Sequence, residues 1–173
     1  MRGAPAALLL LLSAGAGGVE SGDPCSGFSW NVTRERAVFK EAPQKIAAGA
    51  SPADAPVISP DRLYELALVP YSQVRFAATP GRNRSAEGRA GLATLSLSTG
   101  GVYRIALDQP FWVDVIAQGS PIHSRDFQGR AGCHAPHKVV EFSLPAATPL
   151  TLQFSAGDAT TVRVAVLMAP PAL

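Results

Sequence analysis

KVVEFSL at 138–144, LTLQFS at 150–155 and TVRVAVLM at 161–168 decide the fold. Their apolar residues recur with a period of two, most cleanly in 150–155, the period of a strand with one buried face. In 150–155, Leu150, Leu152 and Phe154 share one face and Thr151, Gln153 and Ser155 the other. In 138–144, Val140, Phe142 and Leu144 oppose Glu141. Upstream, VYRIAL at 102–107 sets Tyr103, Ile105 and Leu107 against Arg104, and FWVDVI follows at 111–116. Gly100-Gly101 reads as a hairpin turn, and the links 145–149 and 156–160 are short enough for hairpins.

Further toward the N-terminus, LYELALV at 63–69 is a strand ended by Pro70, SQVRFA at 72–77 another, and 92–98 a third. Residues 42–48 read as a first strand. Residues 49–60 carry three prolines and read as a surface connection. Residues 79–91 form a polar loop whose Arg82, Arg84 and Arg89 are either a solvated turn or a contact for an anionic lipid or polysaccharide. WNVTRERAVFK at 30–40 is the one helix: Asn31 caps it, and Val32, Glu35, Arg36 and Phe39 follow at helical spacing. The expected fold is an all-β antiparallel β-sandwich or jelly roll of eight or nine strands with one short N-terminal helix. Residues 17–60 would be arm, helix and Pro-rich connection, and 61–173 the sandwich, in a single domain. No βαβ alternation suggests a nucleotide-binding sheet.

The N-terminus reads as an address. Arg2 precedes an apolar run over 6–12, and Ala14-Gly15-Ala16 fits a secretory cleavage site, so 1–16 is expected to be a signal peptide. The run is shorter than the ~20 residues of a membrane-spanning helix, and no later stretch is long and apolar enough. The mature protein is expected to be periplasmic or secreted. In an oxidising compartment Cys25 and Cys133, the two cysteines, suggest one disulfide. The competing readings are free thiols or Cys133 as a metal ligand.

Composition narrows function. Hydrophobic residues make up 47% of 173, enough for a core, and Lys+Arg 15 against Asp+Glu 13 leaves no basic footprint for nucleic acid. All three histidines, His123, His134 and His137, lie in the 117–137 stretch with Asp126 between them, and such a set could hold iron, copper or zinc. The alternative is an exposed loop tethered by its disulfide. That stretch has no periodicity and exceeds the ~12–15 residues beyond which structureless loops are uncommon and often functional. Ile122 and Phe127 would tuck it against the sandwich, leaving Ser124, Arg125, Gln128 and Arg130 facing a ligand beside Arg104 and Trp112. Asp114 could join a polar site near Tyr103 or Arg104. Glu65, Asp114 and Glu141 are strand acids with nothing to pair them as a glycosidase couple. Asn31-Val32-Thr33 and Asn83-Arg84-Ser85 fit the N-glycosylation sequon. No Gly-x-Ser-x-Gly elbow, phosphate loop, dinucleotide fingerprint or Cys-x-x-Cys occurs.

GGVYRIAL, FWVDVI, HKVVEFSL and PLTLQFSAGDATTVRVAVLM, within residues 90–168, resemble the bacterial pre-peptidase C-terminal type of β-sandwich. That resemblance implies a secreted jelly-roll-like module that aids secretion or binds carbohydrate or protein. The acidic positions that sometimes bind calcium in that family are not matched. The FSWNVTRERAVF opening and the Cys133 loop resemble short exported proteins of the bacterial cell envelope, some named homogentisate 1,2-dioxygenase. That enzyme family is cytosolic, much longer, and uses a cupin iron site of two His and one Glu. The leading expectation is an exported binding or structural module without a cofactor, partnered by a protein or carbohydrate of the envelope. The second is a metal-dependent dioxygenase on His123, His134 and His137. The third is a small enzyme inhibitor presenting a tethered loop.

Overall fold

A computed structural model describes residues 23–82 and 87–171. The expected signal segment 1–16 and the Asn83-Arg84-Ser85 sequon lie outside the described residues. The chain is an all-β sandwich, as its alternation predicts. Its strands are β1 (Gln44–Ala47), β2 (Val57–Ile58), β3 (Leu63–Ala67), β4 (Val69–Pro70), β5 (Arg89–Leu95) and β6 (Gly101–Leu107). They continue as β7 (Trp112–Ala117), β8 (Ser120–Ile122), β9 (Ser124–Gly129), β10 (Lys138–Leu144), β11 (Leu150–Gly157) and β12 (Thr161–Met168). The first sheet runs β1-β3-β12-β6-β10-β9, and the second β2-β5-β11-β7-β8 with β4 also on β5. The sheets are mixed and not purely antiparallel, because β1 pairs β3 and β2 pairs β5 in parallel. The count exceeds eight or nine because four of the strands have only two or three residues or lie in the stretch expected to be structureless.

The predicted faces hold. Tyr103, Ile105, Leu107, Val140, Phe142 and Leu144 from the first sheet meet Leu150, Leu152 and Phe154 from the second in one core. Burying a Leu or Phe side chain contributes about 1.5–3 kcal/mol, so this seam is the main source of stability. The links are not hairpins. Across these links successive strands change sheet: β5 lies in the second, β6 in the first and β7 in the second, while β10 lies in the first, β11 in the second and β12 in the first. Gly100-Gly101, 145–149 and 156–160 therefore cross the core edge instead of making hairpins. Both inner faces feed one core, so alternation alone does not say to which sheet a strand belongs. Gly100 suits its crossing, since a Cβ there would lie 3.1 Å from the Ala146 nitrogen, a tight approach.

Three further expectations change. Residues 72–77 are no strand; a 3-10 turn over Tyr71–Gln73 leads into irregular chain lying on the outer face of the second sheet. There the Ala77 and Ala78 N–H groups donate to the Gln153 side chain, which replaces ladder bonding. The 117–137 stretch holds β8 and β9. Gln118 (φ 49°) and Gly119 (φ 79°) make the tight β7–β8 hairpin, a pair of positive φ values suited to strand twist. Both strands sit at sheet edges with most side chains in solvent, so their sequences carry no apolar period. The 49–60 connection is not wholly superficial, because Ile58 on β2 is fully buried in the core.

Helix α1 (Thr33–Val38) is shorter than 30–40, but its face is as expected. The Asn31 side chain accepts the Thr33 N–H at 3.0 Å. Val32, Glu35 and Phe39, three and four residues apart, are buried on the outer face of the first sheet. Val32 and Phe39 pack there with Ala106, Val139, Ala165 and Leu167. The disulfide between Cys25 and Cys133 ties this arm to the β9–β10 link, so neither free thiols nor a Cys133 metal ligand remain.

Candidate functional site

The residues singled out as ligand contacts divide into two groups. Arg104 is only 6% exposed. It donates to Glu141 Oε2 (3.3 Å), to the Asn31 carbonyl (3.0 Å) and to Glu35 Oε1 (3.4 Å), with Trp30 stacked 4.7 Å from its guanidinium. Gln128 accepts the Ser29 and Trp30 N–H groups, and Arg130 lies 5.6 Å from the Phe28 ring. These three therefore hold the protein's own N-terminal arm. Arg125 pairs with Glu141 at 3.6 Å and donates to Ser143. Trp112 and Ser124 go elsewhere, to a cleft at one corner of the sandwich.

The cleft follows from the strand lengths. β8 pairs only with residues 115–117 of β7, so 112–114 are left on an open edge. Beyond β8 the chain passes through His123 into β9, crossing from the second sheet to the first. Under that strap a small chamber, open to solvent, is lined by Trp112, Val113, Ser124, Phe127, Lys138 and Val140. Phe127 stands opposite Val140 in register, an inward-facing position, yet it is 64% exposed because the other sheet ends short of it. It borders an opening and does not seal the strap as expected. A polar side opens next to it, lined by Arg82, Pro110 and Phe111.

Lys138 sits where the apolar and polar parts meet. Its Nζ donates to the Phe111 carbonyl at 3.3 Å and lies 5.1 Å from the Trp112 ring and 5.9 Å from Phe127. Among the described residues it has no carboxylate partner within ion-pair distance. Burial holds its pKa below the ordinary lysine value, the Arg82 charge lowers it further, and Asp114 opposes both.

Asp114 fixes Trp112. Its Oδ1 accepts the indole N–H at 2.7 Å, and its Oδ2 accepts from Gly81 N (3.1 Å) and Gln153 Nε2 (3.4 Å). A Cβ on Gly81 would fall 2.9 Å from both Asp114 Oδ1 and Trp112 Nε1, so only glycine allows this approach. Gln153 is fully buried and also donates to the Ala78 carbonyl. Gln153→Leu strands two backbone N–H groups and should cost about 1–3 kcal/mol, the penalty of unsatisfied buried donors. Urea unfolding in a Trp30→Phe background, with Trp112 emission as the probe, checks this; an unchanged midpoint and spectrum would contradict it.

The histidines do not assemble. His123 lies on the strap, while His134 Nδ1 is 3.0 Å from the Asp108 carbonyl and its ring 6.4 Å from His137. His137 Nδ1 is buried without a partner. Asp126 Oδ1 accepts the Phe127 N–H. Among the described residues no three His, Cys, Asp or Glu side chains converge. An iron, copper or zinc centre needs three or four protein ligands, so these residues do not fit one.

Sequence reasoning missed Lys138 and set Arg82 aside. One signal was present: 138, 140, 142 and 144 share parity, which puts a lysine on the core face of its strand. Fold and cleft together define a disulfide-stapled β-sandwich with a corner site of two aromatics and two cations. No protein-family model matches the chain. No curated protein sequence matches it. Among the described residues no helix is long and apolar enough to cross a membrane.

Proposed function

We propose that the protein is an exported binding module whose ligand seat is the Trp112–Phe127–Lys138 cleft. The observation that carries this reading is a half-buried ammonium without a carboxylate, set between two aromatic rings at an open mouth. Burying a charge without a counter-ion costs stability. So does leaving Phe127 in solvent. A ligand that covers both removes both costs. The hydrogen bonds through Asp114, Gly81 and Gln153 hold Trp112 in place before any ligand arrives, which reduces the entropy lost on binding. Export is supported by the signal-like pattern at 1–16 and by a disulfide suited to an oxidising compartment.

Thermal unfolding of the oxidised protein with panels of organic acids, oligosaccharides and short peptides tests the reading. One class should raise the midpoint of the wild type and leave Phe127→Ser unmoved. Phe127 is exposed, so the substitution alone should change stability by no more than about 0.5 kcal/mol. If no class stabilises the wild type, or if the gain persists in Phe127→Ser, the cleft is not the seat.

A further inference from the structure

Resting on that reading, we infer that the cleft takes a small organic acid: its carboxylate meets Lys138 and Arg82, and its apolar body lies between Trp112 and Phe127. Three observations lead there. First, charge: Lys138 and Arg82 both line the polar side, and neither has a carboxylate within ion-pair distance among the described residues. Asp114, the nearby acid, is already satisfied by Trp112, Gly81 and Gln153. An incoming anion therefore finds two uncompensated donors, and a cation finds no free acceptor. Charge-assisted bonds to ammonium and guanidinium are stronger than neutral ones.

Second, surface chemistry. The chamber walls are Trp112, Val113, Phe127 and Val140, and Ser124 supplies the one hydroxyl among the residues lining it. The indole N–H is taken by Asp114. A neutral sugar needs several donors and acceptors around its ring, and they are not there. A flat or branched hydrocarbon body needs only the walls.

Third, size. The enclosed part of the cleft is small, about 40 Å³, and it opens onto solvent. It suits one ring. Lys138 lines both the chamber and the polar side, which sets an acid group attached directly to such a ring beside it.

The test uses Trp112 as reporter. The protein has two tryptophans, so Trp30→Phe leaves Trp112 alone to emit. Benzoate and cyclohexanecarboxylate should change its emission saturably. Benzamide should bind about tenfold or more weakly, the loss of one charge-assisted bond. Acetate and inorganic phosphate at equal ionic strength should do nothing saturable. Lys138→Met should abolish the response, and Arg82→Gln, at an exposed position, should weaken it while the fold is kept. Equal binding of benzamide, a response to acetate or phosphate alone, or full retention in Lys138→Met would each overturn the inference. If oligosaccharides or peptides stabilise the protein through Phe127 and benzoate does not bind, the cleft stands as a seat and the organic-acid inference falls.

Discussion

Arg104→Met should lower stability by about 3–5 kcal/mol, the cost of leaving a buried charge without its partner. Arg104 stands opposite Glu141 on β10, and the two are joined at 3.3 Å. It also reaches Glu35 on α1, which is only 2% exposed, at 3.4 Å. Removing the guanidinium leaves Glu35 buried against an apolar layer with no cation to replace it. Glu141 fares better, because Arg125 also pairs with it and it is less deeply covered. The effect should therefore run mainly through Glu35. Two measurements separate this from lost packing. Guanidinium unfolding of Arg104→Met should show the full loss. The double variant Arg104→Met, Glu35→Leu should recover most of it, since a buried ion pair replaced on both sides by apolar groups is often neutral or better. If the double variant is as unstable as the single one, packing of Arg104 on Trp30 matters more than its charge.

Opening the Cys25–Cys133 bridge should cost about 4–5 kcal/mol on the chain-entropy model for a loop near a hundred residues, and engineered cases often deliver less. The separation here is 108. The bridge also has a local role. It joins the turn at Pro24–Gly27 to the β9–β10 link, close to where Gln128 and Arg130 hold residues 28–30. Asp23 belongs to the same anchor: the Cys25 N–H and then Arg36 hold its carboxyl below the usual range. In Cys25→Ser, Cys133→Ala the arm is left with Arg104, Gln128, Arg130, the Arg34 contacts to Asp61 and Met168, and the α1 face. Its release would uncover Val139, Ala165 and Leu167 on the first sheet. The expected result is a lower unfolding midpoint together with faster proteolysis within residues 23–40. An unchanged midpoint, with residues 23–40 still protected, would contradict the anchoring role.

Much of the sandwich was legible, and the reason is local. Leu150, Leu152 and Phe154 alternate with Thr151, Gln153 and Ser155 because one face of β11 is core. The same alternation misled about the second face. Gln153 and Ser155 read as solvent-facing, yet both are fully buried under the chain that runs from Ala77 to Arg82. A buried polar residue that is fully hydrogen-bonded looks like a surface residue in a pattern. Edge strands failed for the converse reason. Ser124–Gly129 is exposed on most of its length, so nothing in its sequence marks the pairing with β10. The helix face of Val32, Glu35 and Phe39 was readable because a short amphipathic segment keeps its own period.

The candidate site was legible only in part. Trp112 and Ser124 are where a ligand could meet them, whereas Arg104, Gln128 and Arg130 were assigned outward and turn inward to the arm. Cationic and amide side chains near a long loop look alike in sequence whether they meet a ligand or the protein's own chain. What separates them is the position of residues 28–31, next to a cysteine whose disulfide partner lies 108 residues further along the chain. Lys138 escaped, and Arg82 could be read only as part of its own loop, because the two come from segments 56 residues apart that meet only when β7 outruns β8.

The most direct measurement is the indole N–H region of a proton–nitrogen correlation spectrum of the oxidised protein. Its two tryptophans give two signals there. The compound class that raises the unfolding midpoint is added to saturation. The expected result is a large shift of the Trp112 signal, with the Trp30 signal, held under Arg104, staying in place. A shift of Trp30 with Trp112 unmoved would place the seat on the arm side of the first sheet, and the cleft would not be the binding site.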